Sequence, residues 1–152
     1  MAHRMDDGEV AAFLEGQPAR TGKLATVRAD GTPHVAPIWY VLDRSAAGPD
    51  NPVGDLVFNT GADTVKGRNL VRTGRVALCV DDDVPPFSFV IVDGTVSFDE
   101  DPDELRRWAA RIGGRYMGDD QAEAYGERNG VPGELLVRLH PGRITASARV
   151  AD

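Results

Sequence analysis

Apolar residues first fall at helical spacing. Val10, Phe13 and Leu14 form a stripe that predicts a short helix from about Asp7 to Glu15, which Gly16 and Pro18 stop. The period then changes to that of strands. Lys23–Arg28 reads as a strand, Ala29-Asp30-Gly31-Thr32 as a tight turn, and Pro33–Leu42 as the return strand, with Val35, Ile38, Tyr40 and Leu42 among its β formers. Pro33 and Pro37 lack an N–H, so this strand belongs at an edge or a bulge. Asp43–Gly54 is loop, Leu56–Asn59 a third strand, and about Asp63 to Arg72 a short helix capped by Asp63 or Thr64. Val76–Val80 is an unbroken apolar run and predicts a buried strand. Phe87–Val92 and Thr95–Phe98 read as a hairpin across Asp93-Gly94.

A longer helix starts at Asp101 as N-cap, with Pro102 first in the helix and Glu104 completing a capping-box-like arrangement. Leu105, Trp108, Ala109, Ile112 and Tyr116 make its apolar face. A second helical stretch runs from about Asp120 to Arg128. Leu135–Leu139 is a strand, His140-Pro141-Gly142 a turn, and Arg143–Val150 the last strand. Seven or eight mostly antiparallel strands with helices in the connections predict a mainly β (α+β) fold, a closed or nearly closed antiparallel barrel. Strand and helix do not alternate, which argues against a doubly wound parallel sheet.

At 152 residues the chain fits a single domain, 1–152. Its 41% hydrophobic and 27% charged residues are ordinary for a globular protein. The one cysteine, Cys79, excludes an intrachain disulfide and reads as an inert core residue. No apolar run approaches the length of a membrane span, and the first residues lack an apolar signal region, so a cytoplasmic protein without a membrane partner is expected. The net charge of -7 argues against nucleic acid as a partner but leaves room for one phosphorylated small molecule.

Absences narrow the chemistry. No dinucleotide fingerprint, no Gly-x-x-x-x-Gly-Lys-Ser/Thr loop and no Gly-x-Ser-x-Gly elbow occurs. Three scattered histidines and one cysteine make no metal site. Ser45, Ser88, Ser97 and Ser147 have no histidine partner evident in sequence. A chain without its own nucleophile or metal suits a bound cofactor that carries the chemistry.

The segment Phe58-Asn59-Thr60-Gly61-Ala62-Asp63-Thr64-Val65-Lys66 runs from a strand into a helix start. It offers two hydroxyls, unpaired first-turn N–H groups and a cation, the parts of a phosphate site. Composition alone favours an ordinary capped helix with solvated Lys66 and Arg68. Pro37-Ile38-Trp39-Tyr40 is a second candidate, since a strand broken by prolines can turn backbone groups toward a planar ring that Trp39 or Tyr40 would wall. Core burial is the plainer reading of both aromatics, and of Phe87, Phe89 and Trp108. His34 and Tyr40 are candidate proton donors, with local hydrogen bonding as the plainer reading. The acidic runs Asp81–Asp83 and Asp99–Asp103 read as solvated turns and a helix start.

The succession Leu24-Ala25-Thr26-Val27-Arg28-Ala29-Asp30-Gly31-Thr32-Pro33, then Pro37-Ile38-Trp39-Tyr40, Phe58-Asn59-Thr60, Lys66-Gly67-Arg68-Asn69-Leu70 and Arg75-Val76-Ala77-Leu78, resembles the pyridoxamine 5'-phosphate oxidase-like superfamily of FMN-binding split β-barrels. Within it the chain is similar to the branch of enzymes dependent on coenzyme F420, a deazaflavin. The resemblance covers about Phe13 to the C-terminus. It implies a split antiparallel β-barrel with peripheral helices, a homodimer, and a cofactor at the subunit interface.

It also implies Lys66 as a phosphate ligand with Thr60, Thr64 and Val65 beside it, and Asn69 close to the same turn. Phe58 and Asn59 would lead into that turn, and the backbone from Pro37 through Ile38 and Trp39 to Tyr40 would run along the ring system. Phe87 stands where the partner subunit often contributes an aromatic. Thr64 stands where some relatives carry arginine. The implied reaction is hydride transfer from reduced F420 to an unsaturated or quinone-like small molecule, with the catalytic side chain unidentified. An FMN-binding oxidase or reductase, and a non-catalytic flavin or F420 carrier or sensor, stand as alternatives.

Overall fold

A computed structural model describes residues 1–152. One antiparallel sheet of eight strands dominates it: β1 (His3–Arg4), β2 (Gly22–Val27), β3 (Pro33–Ile38), β4 (Val41–Asp43), β5 (Asp55–Gly61), β6 (Arg75–Asp82), β7 (Ser88–Asp99) and β8 (Glu134–Ala148). The strand order is β3-β2-β6-β7-β8-β5-β4, with β1 added on β8. The sheet curls into a half-barrel open between β3 and β4, which is the predicted split β-barrel. Four helices accompany it: α1 (Asp7–Glu15), α2 (Val65–Thr73), α3 (Pro102–Met117) and α4 (Ala122–Asn129). Inside the curl lies the main core, with Leu24, Tyr40, Phe58, Leu78, Val90 and Leu139 fully buried and α1 and Leu70 of α2 closing it. A smaller cluster forms outside, where Leu105, Trp108 and Ile112 of α3 pack on Val41, Val57 and Leu136.

Local signals set most boundaries. The β2–β3 hairpin turns at Ala29–Thr32, with Gly31 at φ 88° and Asp30 accepting the Thr32 N–H at 3.0 Å. Pro33 and Pro37 sit on β3, an edge strand, where a missing N–H costs no ladder bond. Thr64 caps α2 by accepting the Gly67 N–H at 3.1 Å, and Gly74 ends it at φ 65°. Gly67 is required: a Cβ there would lie 2.1 Å from the Gly61 carbonyl oxygen. Without it α2 could not fold back so tightly on the end of β5.

Six expectations are corrected. The return strand does not run from Pro33 to Leu42. It stops at Ile38, and β4 crosses to pair with β5. Asp93-Gly94 is a bulge inside one 12-residue strand and not a hairpin turn, with the register shifting there against β8. Gly94 permits this because a Cβ would lie 2.2 Å from the His140 carbonyl oxygen. His140-Pro141-Gly142 likewise lies within the continuous 15-residue β8. The run Val76–Val80 is only half buried, with Val76, Leu78 and Val80 inward and Ala77 and Cys79 half-exposed. Finally, Asp101 does cap α3, but it accepts from Asp103 N–H, and the Glu104 carboxylate turns instead to Arg107 and to Trp108 Nε1. The complete capping box is at α1, between Asp6 and Glu9.

The acidic run also departs from a solvated turn. Asp81 and Asp82 extend β6 and pair with Lys23 at 2.7 Å and Arg20 at 3.3 Å.

Candidate functional site

The end of β3, the end of β5 and the start of α2 meet around a cleft of about 450 Å³. Pro37 and Ile38 come from β3, with Trp39 following. Asn59 and Thr60 come from β5, and Thr64 and Lys66 from the turn into α2. Seven of the twelve sequence-predicted residues thus share one cleft. Thr21, Ile112, Asn129 and Glu134 line it as well.

The cleft's charges are few and distinct. Lys66 is half-buried and forms no ion pair or hydrogen bond within the chain. The only other lysine, Lys23, is paired with Asp81. Thr64 Oγ1 donates to the Gly61 carbonyl at 2.7 Å while receiving the Gly67 N–H, and Thr60 Oγ1 lies 3.5 Å away. The first-turn N–H groups of Val65 and Lys66 have no intrahelical acceptor. Asp63 is exposed, and Arg68 Nη1 donates to its carbonyl at 2.7 Å. Glu134 brings a carboxylate into the cleft, held by Asn59 Nδ2 at 3.2 Å. A lone ammonium, the Thr60 hydroxyl and a helix start thus share one cleft, and their charges and donors are of the kind that attracts an anion.

Trp39 is fixed from behind. Its ring stacks on Tyr116 of α3, centroids 5.1 Å apart and 7° from parallel, with Tyr125 of α4 tilted against it at 5.7 Å. Tyr116 Oη donates to the Arg20 carbonyl at 2.7 Å and accepts the Tyr40 N–H at 3.3 Å. Burial pushes the Tyr116 hydroxyl above its usual pKa. One face of Trp39 is therefore occupied by the protein's own helices.

The remaining five predicted residues lie elsewhere. Tyr40 is fully buried, donating to the Leu14 carbonyl at 2.8 Å, and burial pushes its pKa up to about 12. It is a core residue, its N–H is taken by Tyr116, and its ring walls no cleft. Phe58 points into the main core with no exposure. Val65 does not line the cleft with its side chain. Asn69 is buried, donating to Thr26 Oγ1 at 3.0 Å and receiving Arg72 Nη2 at 3.1 Å, so it ties α2 to β2.

Phe87 lies outside its own chain's cleft, 42% exposed at φ 60°, where sequence reasoning favoured a core residue. His34 does not line the cleft either, and its Nδ1 is buried without a hydrogen-bond partner.

Glu134 and Ile112 were not foreseen because each follows a strand or helix pattern with nothing local to mark it. The pairing of Gly61 with Glu134 across β5 and β8 is what brings the carboxylate in. The structure also gives one of the serines a histidine: Ser97 Oγ lies 2.7 Å from His140 Nε2.

The sequence matches the family described as pyridoxamine 5'-phosphate oxidase over residues 7–147. Among solved structures, the conserved protein Rv2991 from Mycobacterium tuberculosis is similar, with a TM-score of 0.75 and 27% identity over 95% of this chain and 86% of that one. A structure described as an F420 reductase aligns with a TM-score of 0.59 and 27% identity over 82% of this chain and 88% of that one. An FAD-binding protein from Mesorhizobium loti shares the fold, with a TM-score of 0.67 and 20% identity over 97% and 96% of the two chains. No curated protein matches the sequence. No helix is long and apolar enough to cross a membrane, and no group of three or more metal-ligating side chains is assembled.

Proposed function

The chain belongs to the pyridoxamine 5'-phosphate oxidase family, and from that premise we propose that it is an oxidoreductase dependent on coenzyme F420. It would act on an unsaturated or quinone-like small molecule. One observation carries the reading: Lys66, an unpartnered cation in an acidic chain, lines the same cleft as the Thr64 cap and the broken end of the edge strand β3.

These residues fit a phosphate-bearing flavin-like cofactor. Lys66 would hold the phosphate with the Thr60 hydroxyl and the N–H groups of Val65 and Lys66, while Thr64, whose proton goes to the Gly61 carbonyl, keeps the helix start in place. Pro37 to Trp39 border the ring system, and the stacked Tyr116 keeps Trp39 from collapsing into the cleft. Asn59 Nδ2 donates to the Glu134 carboxylate, which lines the same cleft. A reduced deazaflavin bound there supplies a hydride. The chain supplies binding, orientation and exclusion of water.

A second copy of the chain would complete the groove. Phe87, exposed and outside its own cleft, is available to reach a partner's.

Titration of the purified protein tests the reading. F420 should bind at micromolar concentration, and reduced F420 should be consumed in the presence of a quinone or enone. FMN also carries a phosphate on its ribityl chain, so tighter FMN binding with flavin turnover would replace F420 by FMN. Tight binding without turnover of any electrophile would make the protein a carrier. No binding of either cofactor would overturn the proposal.

A further inference from the structure

On the outer face of the sheet, three strands bring together Ser97 of β7, His140 of β8 and Asp55 of β5. The register does this: Thr95 pairs with His140, Ser97 with Arg138, and Leu56 with Leu139. Ser97 Oγ lies 2.7 Å from His140 Nε2, and His140 Nδ1 lies 3.2 Å from Asp55 Oδ1. Ser97 is exposed and His140 half-buried, whereas Asp55 is only 5% exposed. The Asp55 carboxylate is fixed by Asn51 Nδ2 at 2.9 Å and Arg138 Nη1 at 3.3 Å.

Ser97 and Arg138 also line a cleft of about 430 Å³. Val57, Phe98 and Leu136 supply its apolar part, and Asp99 and Glu100 its acidic rim. Arg138 binds Asp43 and Asp55 through Nη1 alone, which leaves Nε and Nη2 as free donors.

We propose that Ser97, His140 and Asp55 form a second, hydrolytic site that cleaves neutral or cationic esters of short acyl chains. The parts have the roles of a nucleophile, its base and a carboxylate whose charge stabilises the protonated base. The Asp55 carboxylate stands at ion-pair distance from Nδ1 and favours the imidazolium that forms when Nε2 accepts the Ser97 proton.

Ser97 Oγ bonds to the ester carbonyl carbon as its proton passes to His140 Nε2. The negative charge on the carbonyl oxygen is met by the free donors of Arg138. The bond from the carbonyl carbon to the leaving oxygen then breaks, and that oxygen takes the proton from His140. Water attacks the acyl-serine, giving one proton to His140, which returns it to Ser97 Oγ as the acid departs. Val57 and Leu136 are largely covered by α3, so the cleft has room beside Phe98 for a short acyl chain only, and Asp99 and Glu100 disfavour anionic substrates.

Labelling with an alkyl fluorophosphonate tests this on the full-length protein. Attack by Ser97 forms the Oγ–P bond, fluoride leaves, and the proton goes to His140. Peptide mass spectrometry should find the adduct on Ser97 ahead of Ser45, Ser88 and Ser147. His140→Gln should slow the labelling about a hundredfold, the scale of a lost general base. Hydrolysis of p-nitrophenyl acetate should be lost in Ser97→Ala. Unchanged melting curves show that these surface variants are folded. A surface hydrogen bond with no chemical role gives no adduct at Ser97, or the same labelling rate with and without His140, and either result overturns the proposal.

Discussion

Lys66→Ala is the perturbation that most directly tests the cofactor cradle. The ammonium makes no hydrogen bond or ion pair within the chain, so its removal breaks no polar contact in the fold. Stability should change by less than about 0.5 kcal/mol, as for surface substitutions elsewhere. A charge-assisted hydrogen bond to a ligand is worth about 1.5–3 kcal/mol. At about 1.4 kcal/mol per decade, that is a loss of roughly 10- to 150-fold in affinity. Lys66 is only half-buried in an open cleft, so screening places the expected loss toward the lower end.

The helix start survives in the variant and keeps about 0.3–1 kcal/mol of anion attraction. Preference for the phosphorylated ligand should therefore shrink without vanishing. The assay is fluorescence titration of wild type and variant with FMN and with riboflavin, its phosphate-free parent. The ratio of the two affinities should fall by the stated factor, and the salt dependence of FMN binding should flatten. Equal losses for both ligands would show that the phosphate is held elsewhere.

Asn69→Ala should cost about 1–3 kcal/mol in urea denaturation, because it leaves the buried Thr26 hydroxyl unpaired. Its cofactor affinity should stay within about twofold of wild type; a loss on the scale of the Lys66 variant's would make Asn69 a ligand after all. Gly94→Ala should destabilise by about 1–3 kcal/mol, since its Cβ meets the His140 carbonyl at 2.2 Å, and an unchanged urea midpoint would refute the tight bulge.

Asp43 governs part of the acid response. Burial raises its pKa, but hydrogen bonds from Ser45 and Arg138 outweigh burial and leave it below the ordinary carboxylate value. A carboxylate depressed on folding stabilises above its unfolded pKa of about 3.9 and loses that contribution as pH falls through the folded value. Wild type should thus lose more stability between neutral pH and about pH 3 than Asp43→Asn does; parallel losses would assign the acid response to other groups.

What the sequence disclosed depended on how local each signal was. The Asp30-Gly31 turn, the Thr64 cap and the Asp101-Pro102 helix start are each written in a few adjacent residues, and each stands where it was expected. Asp93-Gly94 and His140-Pro141-Gly142 carry the same turn vocabulary yet lie inside long strands. They face each other across β7 and β8, and the bulge absorbs both. A turn signal cannot report what stands opposite it. The cleft was legible at Lys66, Thr64 and Pro37 because a strand end, a cap and a missing N–H all mark irregular backbone. Tyr40 and Phe58 were drawn into the candidate site by adjacency in sequence, whereas period-two alternation turns Phe58 into the core, and Tyr40, in the link from β3 to β4, is buried with its hydroxyl on the Leu14 carbonyl.

The same alternation decides what the outer face of β8 can do. Glu134, Leu136, Arg138 and His140 share it, with Gly61 opposite Glu134, Asn59 opposite Leu136 and Val57 opposite Arg138. Leu136 and Val57 are apolar and seat α3, which leaves a polar group exposed to either side. At about 3.3 Å per residue, Glu134 and His140 stand roughly 20 Å apart. One end of that face joins the cleft at Lys66, and the other joins Ser97 and Asp55. Ile112 of α3 lines the first, while Trp108, one turn earlier, lies 5.3 Å beneath the Arg138 guanidinium of the second. A single helix thus walls both sites, yet no side chain is shared between them. Sites so far apart and without common partners perturb one another little. The chemistry at one end of β8 is therefore free to be lost or altered by substitution without disturbing the other.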